Sequence, residues 1–196
     1  MQPDDIKWVG HASFILEDRN GNNICFLDPF ELGSVREKAD IIFITHGHYD
    51  HASEADIKRI LTPGTIVVAA PNCIEKFPIP NKQTKIVEPN ITLEVKNLLV
   101  KTVPAYNIKP ERLNFHPRKN EWVGYIININ GKKVSLVSDP GINDPDIGKR
   151  RNWTHFPPDV KEGDVLWHYF TEDTVKPSRV AELIVKFAKT PVNPVE

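Results

Sequence analysis

The sequence is poor in sulfur, with two cysteines and one methionine among 196 residues. Cys25 and Cys73 lie inside apolar runs and form no C-x-x-C spacing, which excludes a disulfide framework or a thiolate metal site and predicts buried free thiols. Charge of one sign is missing too. Lysine plus arginine number 25 against 26 aspartates and glutamates, a net charge of −1, so no long-range field draws the chain to polyanions or acidic membranes. Nucleic acid is therefore not favoured as a substrate, and only a local patch would bind it. No apolar run approaches the roughly 18 residues of a membrane span, and Met1-Gln2-Pro3-Asp4-Asp5 lacks the basic and apolar regions of a signal peptide. The reading is a cytoplasmic protein with no membrane partner. There is no G-x-S-x-G elbow, no G-x-x-x-x-G-K-[ST] loop and no G-x-G-x-x-G fingerprint, which sets aside serine hydrolases and nucleotide-binding folds. Internal repeats and low-complexity tracts are also absent.

What is present is an ordinary globular composition, 40% hydrophobic and 26% charged, in a length that fits one domain with a sizeable core. Seventeen prolines against ten glycines imply loops with stiffened entries. Short runs rich in isoleucine and valine, bounded by turn residues, predict strands at Ile6 to Val9, Ser13 to Leu16 and Ile24 to Leu27. Ile41 to Ile44 is apolar throughout, as in a strand covered on both faces. The period then changes: Ser53 is a predicted N-cap for a helix carrying Ile57, Ile60 and Leu61, and a short helix is predicted from Pro71 to Phe77. Strands follow at Thr65 to Ala70, Lys85 to Val87, Ile91 to Val95, Leu98 to Val103, Val123 to Ile129 and Lys133 to Val137, with Asn130-Gly131 as a two-residue hairpin turn. Val165 to Tyr169 reads as a last strand and Pro177 to Lys189 as an amphipathic helix. Residues 140–163 show no clear element. Sheets packed on each other with helices outside give an α+β class, a four-layer αββα sandwich in a single domain over 1–196.

The chemistry concentrates where the buried strand ends, in His46-Gly47-His48-Tyr49-Asp50-His51, three imidazoles and one carboxylate within six residues. Imidazole and carboxylate are ligands that zinc, manganese and iron accept, and Gly47 is expected to allow a tight turn. His46 and His48 would then face one ion and Asp50 and His51 another. Two ions roughly 3.5 to 4 Å apart would clamp a scissile group between them. The competing account is a solvated loop that merely caps the next helix.

The stretch His46-x-His48-x-Asp50-His51 after Ile44-Thr45 resembles the signature of the metallo-β-lactamase superfamily. Trp8-Val9-Gly10-His11-Ala12-Ser13, Leu27-Asp28-Pro29-Phe30, Thr102-Val103-Pro104-Ala105-Tyr106-Asn107 and Trp122-Val123-Gly124-Tyr125 extend the resemblance to small hydrolases related to L-ascorbate-6-phosphate lactonase and the N-acylphosphatidylethanolamine phospholipase D core. The resemblance implies hydrolysis of an ester, lactone or phosphodiester by a metal-bound hydroxide, on one or two divalent ions, zinc first and manganese or iron as alternatives. It implies His46, His48, Asp50 and His51 as metal ligands, Asp50 also holding the hydroxide, with Asp139 as a bridging carboxylate and His168 completing the second site. Where the family carries a further histidine this chain has Tyr106-Asn107, so His116, Tyr106 and Asn107 become candidates for an additional ligand or substrate contact. His11 and Asp28 are expected to orient ligands or substrate. The alternative function is an inactive metal-binding or regulatory module of the same fold. Basic and aromatic residues also mix in Arg112 to Lys119 and Lys149 to Trp153, a pattern that could track a phosphate backbone but is more often solvated surface.

Overall fold

All four side chains of Ile41–Ile44 are buried; neighbouring side chains on a strand point to opposite faces, so this sheet is covered on both. The computed structural model describes residues 6–75, 77, 79–106, 114, 116–136 and 165–167. In it β1 (Ile6–Gly10), β2 (Ser13–Asp18) and β3 (Asn23–Leu27) form an antiparallel meander. From β3 the sheet continues in parallel through β4 (Ile41–Ile44), β5 (Ile66–Ala69) and β6 (Thr84–Ile86), in the order β1-β2-β3-β4-β5-β6. Parallel neighbours need crossovers, and two of these contain α1 (Glu54–Ile60) and α2 (Pro71–Ile74). The second sheet contains β7 (Thr92–Val95), β8 (Leu98–Pro104), β9 (Val123–Ile129), β10 (Lys132–Leu136) and β11 (Val165–Trp167), ordered β11-β10-β9-β8-β7. Its strands are antiparallel except for β11, which runs parallel to β10.

Alternation along the strands builds two cores. Phe14, Leu16, Leu27, Ile41, Phe43 and Val68 face the second sheet and pack with Val95, Val100, Tyr125, Ile127 and Val134. Their neighbours Ile15, Phe26, Ile42, Ile44, Val67 and Ala69 point the other way, beneath Ile57 and Ile60 of α1 and Cys73 of α2. The Tyr125 hydroxyl crosses the inter-sheet core, 2.8 Å from the Ile44 carbonyl oxygen and 3.0 Å from that of Val68, and so fixes the ends of β4 and β5 against the second sheet. The α+β sandwich expected from the strand pattern is the fold observed. The helix expected at Pro177 to Lys189, residues 140–163 and the end of the strand expected to reach Tyr169 lie outside the described residues.

Local expectations mostly hold. Ser53 caps α1, its Oγ accepting from the Asp56 backbone N–H at 3.3 Å, with Glu54 and Asp56 in the first turn and Lys58 and Arg59 in the last. This charge order suits the helix dipole. Asn130 and Gly131 have φ of 50° and 72°, as a type I′ hairpin turn requires. Both cysteines are buried and free. The helix opened by Pro71 ends at Ile74 instead of Phe77; past it the Phe77 N–H bonds the Ile74 carbonyl at 3.0 Å in a turn.

Candidate metal centre

Thr45 to Ala52 follow β4 at the carboxyl edge of the parallel strands, the edge at which open α/β sheets gather their ligands. The loop folds back on itself: the backbone N–H groups of His51 and Ala52 both donate to the His48 carbonyl, at 3.1 and 2.9 Å. The first residue of β9 ties the second sheet to the loop, Val123 N–H donating to the Thr45 carbonyl at 3.1 Å. Gly47 is not needed for this turn in the way expected. It does not adopt a left-handed φ, and a Cβ built on it would meet the Asn72 carbonyl oxygen at 3.5 Å and the Cys73 Cα at 3.6 Å, ordinary contacts.

Two groups of donors result. His46, His48 and His116 each bring a ring nitrogen to within 4.8 Å of the others, and His11, Asp50 and His51 do the same with their ligand atoms. The first group is all imidazole. His116 reaches it from the loop after β8, its ring centroid 4.9 Å from that of His46 and 4.8 Å from that of His48. Trp122 packs beside the group, 5.1 Å from the His46 ring and 5.0 Å from His48, with its Nε1–H donating to Asn72 Oδ1 at 2.9 Å. In the second group His11 Nε2 lies 3.1 Å from Asp50 Oδ2. A bulge aims His11 there: the β1–β2 register shifts between Trp8 and Gly10, Gly10 and His11 have φ of 127° and 45°, and Trp8 Nε1–H donates to the His11 carbonyl at 2.8 Å.

Asp28 joins the two groups. It is buried at the end of β3, φ 41°, with its backbone N–H on the Phe43 carbonyl at 2.9 Å and its carbonyl accepting the Ser13 hydroxyl at 2.6 Å. Its carboxylate accepts the Thr45 N–H at 2.8 Å, the Thr45 hydroxyl at 2.6 Å and His51 Nδ1 at 3.0 Å. An ionised carboxylate only accepts, so His51 carries its proton on Nδ1 and keeps the Nε2 lone pair. The Thr45 hydroxyl spends its one hydrogen on Asp28, so at 3.0 Å it must accept from His46 Nδ1, which leaves His46 the same tautomer. One buried carboxylate thus sets a histidine in each group, one directly and one through Thr45. Asp28 also lies within 4.8 Å of His46 and His51 as a donor group, but three donors already occupy its oxygens, so it orients the rings.

Burial pushes His46 well below its ordinary pKa, and the neighbouring His51, His116, His48 and His11 add to the effect. His116 is lowered to about 4, first by burial and then by the nearby His48 and His51. The hydrogen bond from His11 is the main reason Asp50 is lowered to about 2. At neutral pH His46 and His116 therefore offer neutral imidazoles and Asp50 an ionised carboxylate, the protonation states that metal ligation requires.

Of the residues singled out from the sequence, His46, His48, Asp50, His51, His11, Asp28 and His116 converge here. Tyr106 does not join either donor group; its half-buried ring lies under the Arg118 guanidinium, 4.6 Å from Cζ to centroid. Asn107, Asp139 and His168 lie outside the described residues. The sequence reading overlooked Thr45 and Trp122. Both stand in the motifs that carry the resemblance but without a role, Thr45 directly before His46 and Trp122 at the head of Trp122-Val123-Gly124-Tyr125; the place of Trp122 depends on how the two sheets dock, which no local pattern shows.

A family model described as a beta-lactamase superfamily domain matches residues 5–146, well over half of the chain. The chain belongs to the beta-lactamase superfamily. Within it, the chain is 32% identical over 148 residues to a UPF0173 metal-dependent hydrolase of Thermoplasma volcanium, covering 70% of this chain and 62% of that one. Among solved structures it is similar to a protein of Parabacteroides distasonis assigned as a metal-dependent hydrolase, with a TM-score of 0.61, 28% identity and coverage of 74% of this chain and 64% of that one. It also shares its fold with a metallo hydrolase of the archaeon Ignicoccus hospitalis, TM-score 0.51 at 17% identity, covering 94% of this chain and 78% of that one. The chain spans less than two thirds of the length of the curated relatives it matches, 62% of the Thermoplasma protein and of a relative in Archaeoglobus fulgidus. No helix among the described residues is long and apolar enough to cross a membrane.

Proposed function

We propose that this chain is a metal-dependent hydrolase whose two donor groups hold one or two divalent ions. The observation that carries the reading is the convergence of His116 on His46 and His48, nitrogens within 4.8 Å, from the loop between β8 and β9, the second sheet's two longest strands. A chance surface cluster would not recruit a buried imidazole from a segment so distant in sequence. The donor set suits zinc first, with manganese or iron as alternatives. His46, His48 and His116 would hold one ion, and His11, Asp50 and His51 a second, an arrangement differing from the sequence reading in giving His11 a place among the donors. Asp139, as a carboxylate bridging the two ions, and His168, completing the second site, remain proposed.

A bound divalent ion would supply Lewis acidity, polarising the scissile group and making water nucleophilic at neutral pH. The protein's own part is orientation and charge. Asp28 and Thr45 hold His51 and His46 in the tautomer that presents Nε2, which saves that ordering when an ion or substrate arrives. Asp50, ionised and paired with His11, can hold and orient a water beside the scissile bond. We assign the substrate as a small-molecule ester, lactone or phosphodiester, and the near-neutral charge of −1 argues against long polyanions. The names of the related metal-dependent hydrolases support the reaction class and leave the bond open. The inactive-module alternative rested on a missing histidine and an atypical C-terminal part; His116 weighs against the first ground by standing where a third imidazole is wanted, and the second concerns residues outside those described.

Elemental mass spectrometry of the purified chain, with a panel of 4-nitrophenyl acetate, a homoserine lactone and bis(4-nitrophenyl) phosphate, tests the reading. The expected result is one to two ions per chain and turnover of at least one bond type that chelator abolishes. Protein without metal, or metal-loaded protein inert on all three bond types, would count against it.

A further inference from the structure

Two residues past His116 of the first donor group stands a cation with no counter-charge among the described residues. Arg118 is exposed, and its guanidinium lies over the Tyr106 ring at 4.6 Å. Among the described residues no carboxylate lies within ion-pair distance of it, whereas Lys7, Lys58, Arg59 and Lys96 pair with Glu37, Glu54, Asp56 and Asp40. Both members are attached to the site. Arg118 follows His116 by two residues, a backbone span of at most about 7 Å. Tyr106 follows Ala105, whose N–H donates to the Trp122 carbonyl at 2.8 Å, and Trp122 packs on His46 and His48. A guanidinium resting on an aromatic face is held in place while its edge donors stay available for a bidentate anion.

Resting on the hydrolase reading, we infer that Arg118, held by Tyr106, is an anion-binding residue at the rim of the site, and that the substrate carries a phosphate or carboxylate group away from the bond that is cleaved. The opposite donor group is flanked differently: Tyr49, 77% exposed, packs edge-on to Phe30 at 5.9 Å, and Phe30 packs on His11 at 5.5 Å. A substrate is thereby oriented with its anion on the His116 side and its apolar part toward Tyr49. Lys119 is exposed next door and has no ring beneath it among the described residues, so the sum of local charge does not define the subsite.

The test uses the full-length chain with its metal content measured, in wild type, Arg118→Gln, Arg118→Lys and Lys119→Gln, each checked for an unchanged melting temperature. Inorganic phosphate is titrated by calorimetry, and hydrolysis of 4-nitrophenyl hemisuccinate is compared with that of neutral 4-nitrophenyl acetate. Arg118→Gln is expected to weaken phosphate about tenfold and to raise KM for the hemisuccinate about tenfold while leaving acetate within about twofold, the usual loss for a charge-assisted bond. Arg118→Lys should recover only part, and Lys119→Gln should match wild type. Phosphate that binds wild type and Arg118→Gln equally, or fails to bind wild type, would overturn the assignment. Arg118-dependent phosphate binding in a metal-loaded chain that is inert on ester, lactone and phosphodiester alike would uphold the anion subsite and remove the hydrolase reading instead.

Discussion

The two donor groups share one loop but differ in how they are made fit for a cation. The His46, His48 and His116 group has no carboxylate: burial and mutual repulsion hold His46 and His116 below their ordinary pKa, and Trp122 packs against one side. The His11, Asp50 and His51 group carries a charge, with Asp50 kept ionised to about pH 2 by His11. An all-imidazole triad gains most from soft, directional imidazole bonds, whereas one with a carboxylate attracts a cation from a distance and is more open to exchange. Asp28 is the feature common to both, and the largest effect is expected there. Asp28→Asn replaces an oxygen by a donor facing the Thr45 N–H, the Thr45 hydroxyl or His51 Nδ1. Stranding a buried donor and misorienting both rings should cost about 3 kcal/mol in urea unfolding and lower metal occupancy in both groups together. Loss confined to one group would show that Asp28 does not couple them.

Single-ligand variants should separate what Asp28 joins. His116→Ala is expected to remove about one ion per chain, with affinity in the first group falling by more than the about 10–100-fold seen for outer partners, while the second group keeps its ion. His51→Ala should do the reverse. Elemental analysis after dialysis against graded chelator distinguishes the cases, and identical losses in both variants would mean a single shared site.

How the sequence reading succeeded and failed follows the same division. The strands, the Ser53 cap, the Asn130-Gly131 turn and the cluster from His46 to His51 are local patterns, and local physics fixed each of them. The division of His46 and His48 from Asp50 and His51 is legible in that cluster, but the third member of each group is not local. His116 meets His46 because β9 begins against the Thr45 carbonyl and the loop before it returns to the sheet edge, a consequence of inter-sheet packing through residues such as Tyr125. His11 likewise read as an orienting residue, because a strand bulge that re-aims a side chain leaves little trace beyond one glycine. Tyr106 read as an additional ligand or substrate contact because it stands where the family carries a histidine; it joins neither donor group and lies beneath the Arg118 guanidinium.

The electrostatic contrast has its own signature in pH. A histidine whose folded pKa is depressed stays neutral while the unfolded chain takes up a proton, so stability is fully present above the unfolded value of about 6.5 and falls as pH drops toward the folded one. For His116 that window runs from about 6.5 to about 4, and His46 acts in the same direction. Asp50 acts in the same direction but in a lower window: its contribution is present above the ordinary 3.8 and is lost only as pH falls toward about 2. Urea unfolding of chelator-treated protein at pH 7, 5.5 and 4.5 should show steady weakening in wild type and a shallower slope in His116→Ala. Equal slopes would place the titrating groups elsewhere.

The smallest effect is expected at the position the motif made most conspicuous. Gly47 separates the two histidines of the first group, and a tight turn there invites the view that only glycine fits. Its backbone lies outside the left-handed region and an added Cβ finds Asn72 and Cys73 at 3.5 and 3.6 Å, so Gly47→Ala should shift stability by less than about 0.5 kcal/mol, the entropy removed from the unfolded chain offsetting mild crowding. Gly131, with φ of 72° in the hairpin turn and nothing within 4 Å of its Cβ, is the matched control: Gly131→Ala should cost about 1 kcal/mol through backbone strain alone. Metal content should be unchanged in both variants. A Gly47→Ala protein that folds but loses the ion of the His46, His48 and His116 group would mean that this loop must move to close around a cation, and that the all-imidazole group is the more adaptable of the two.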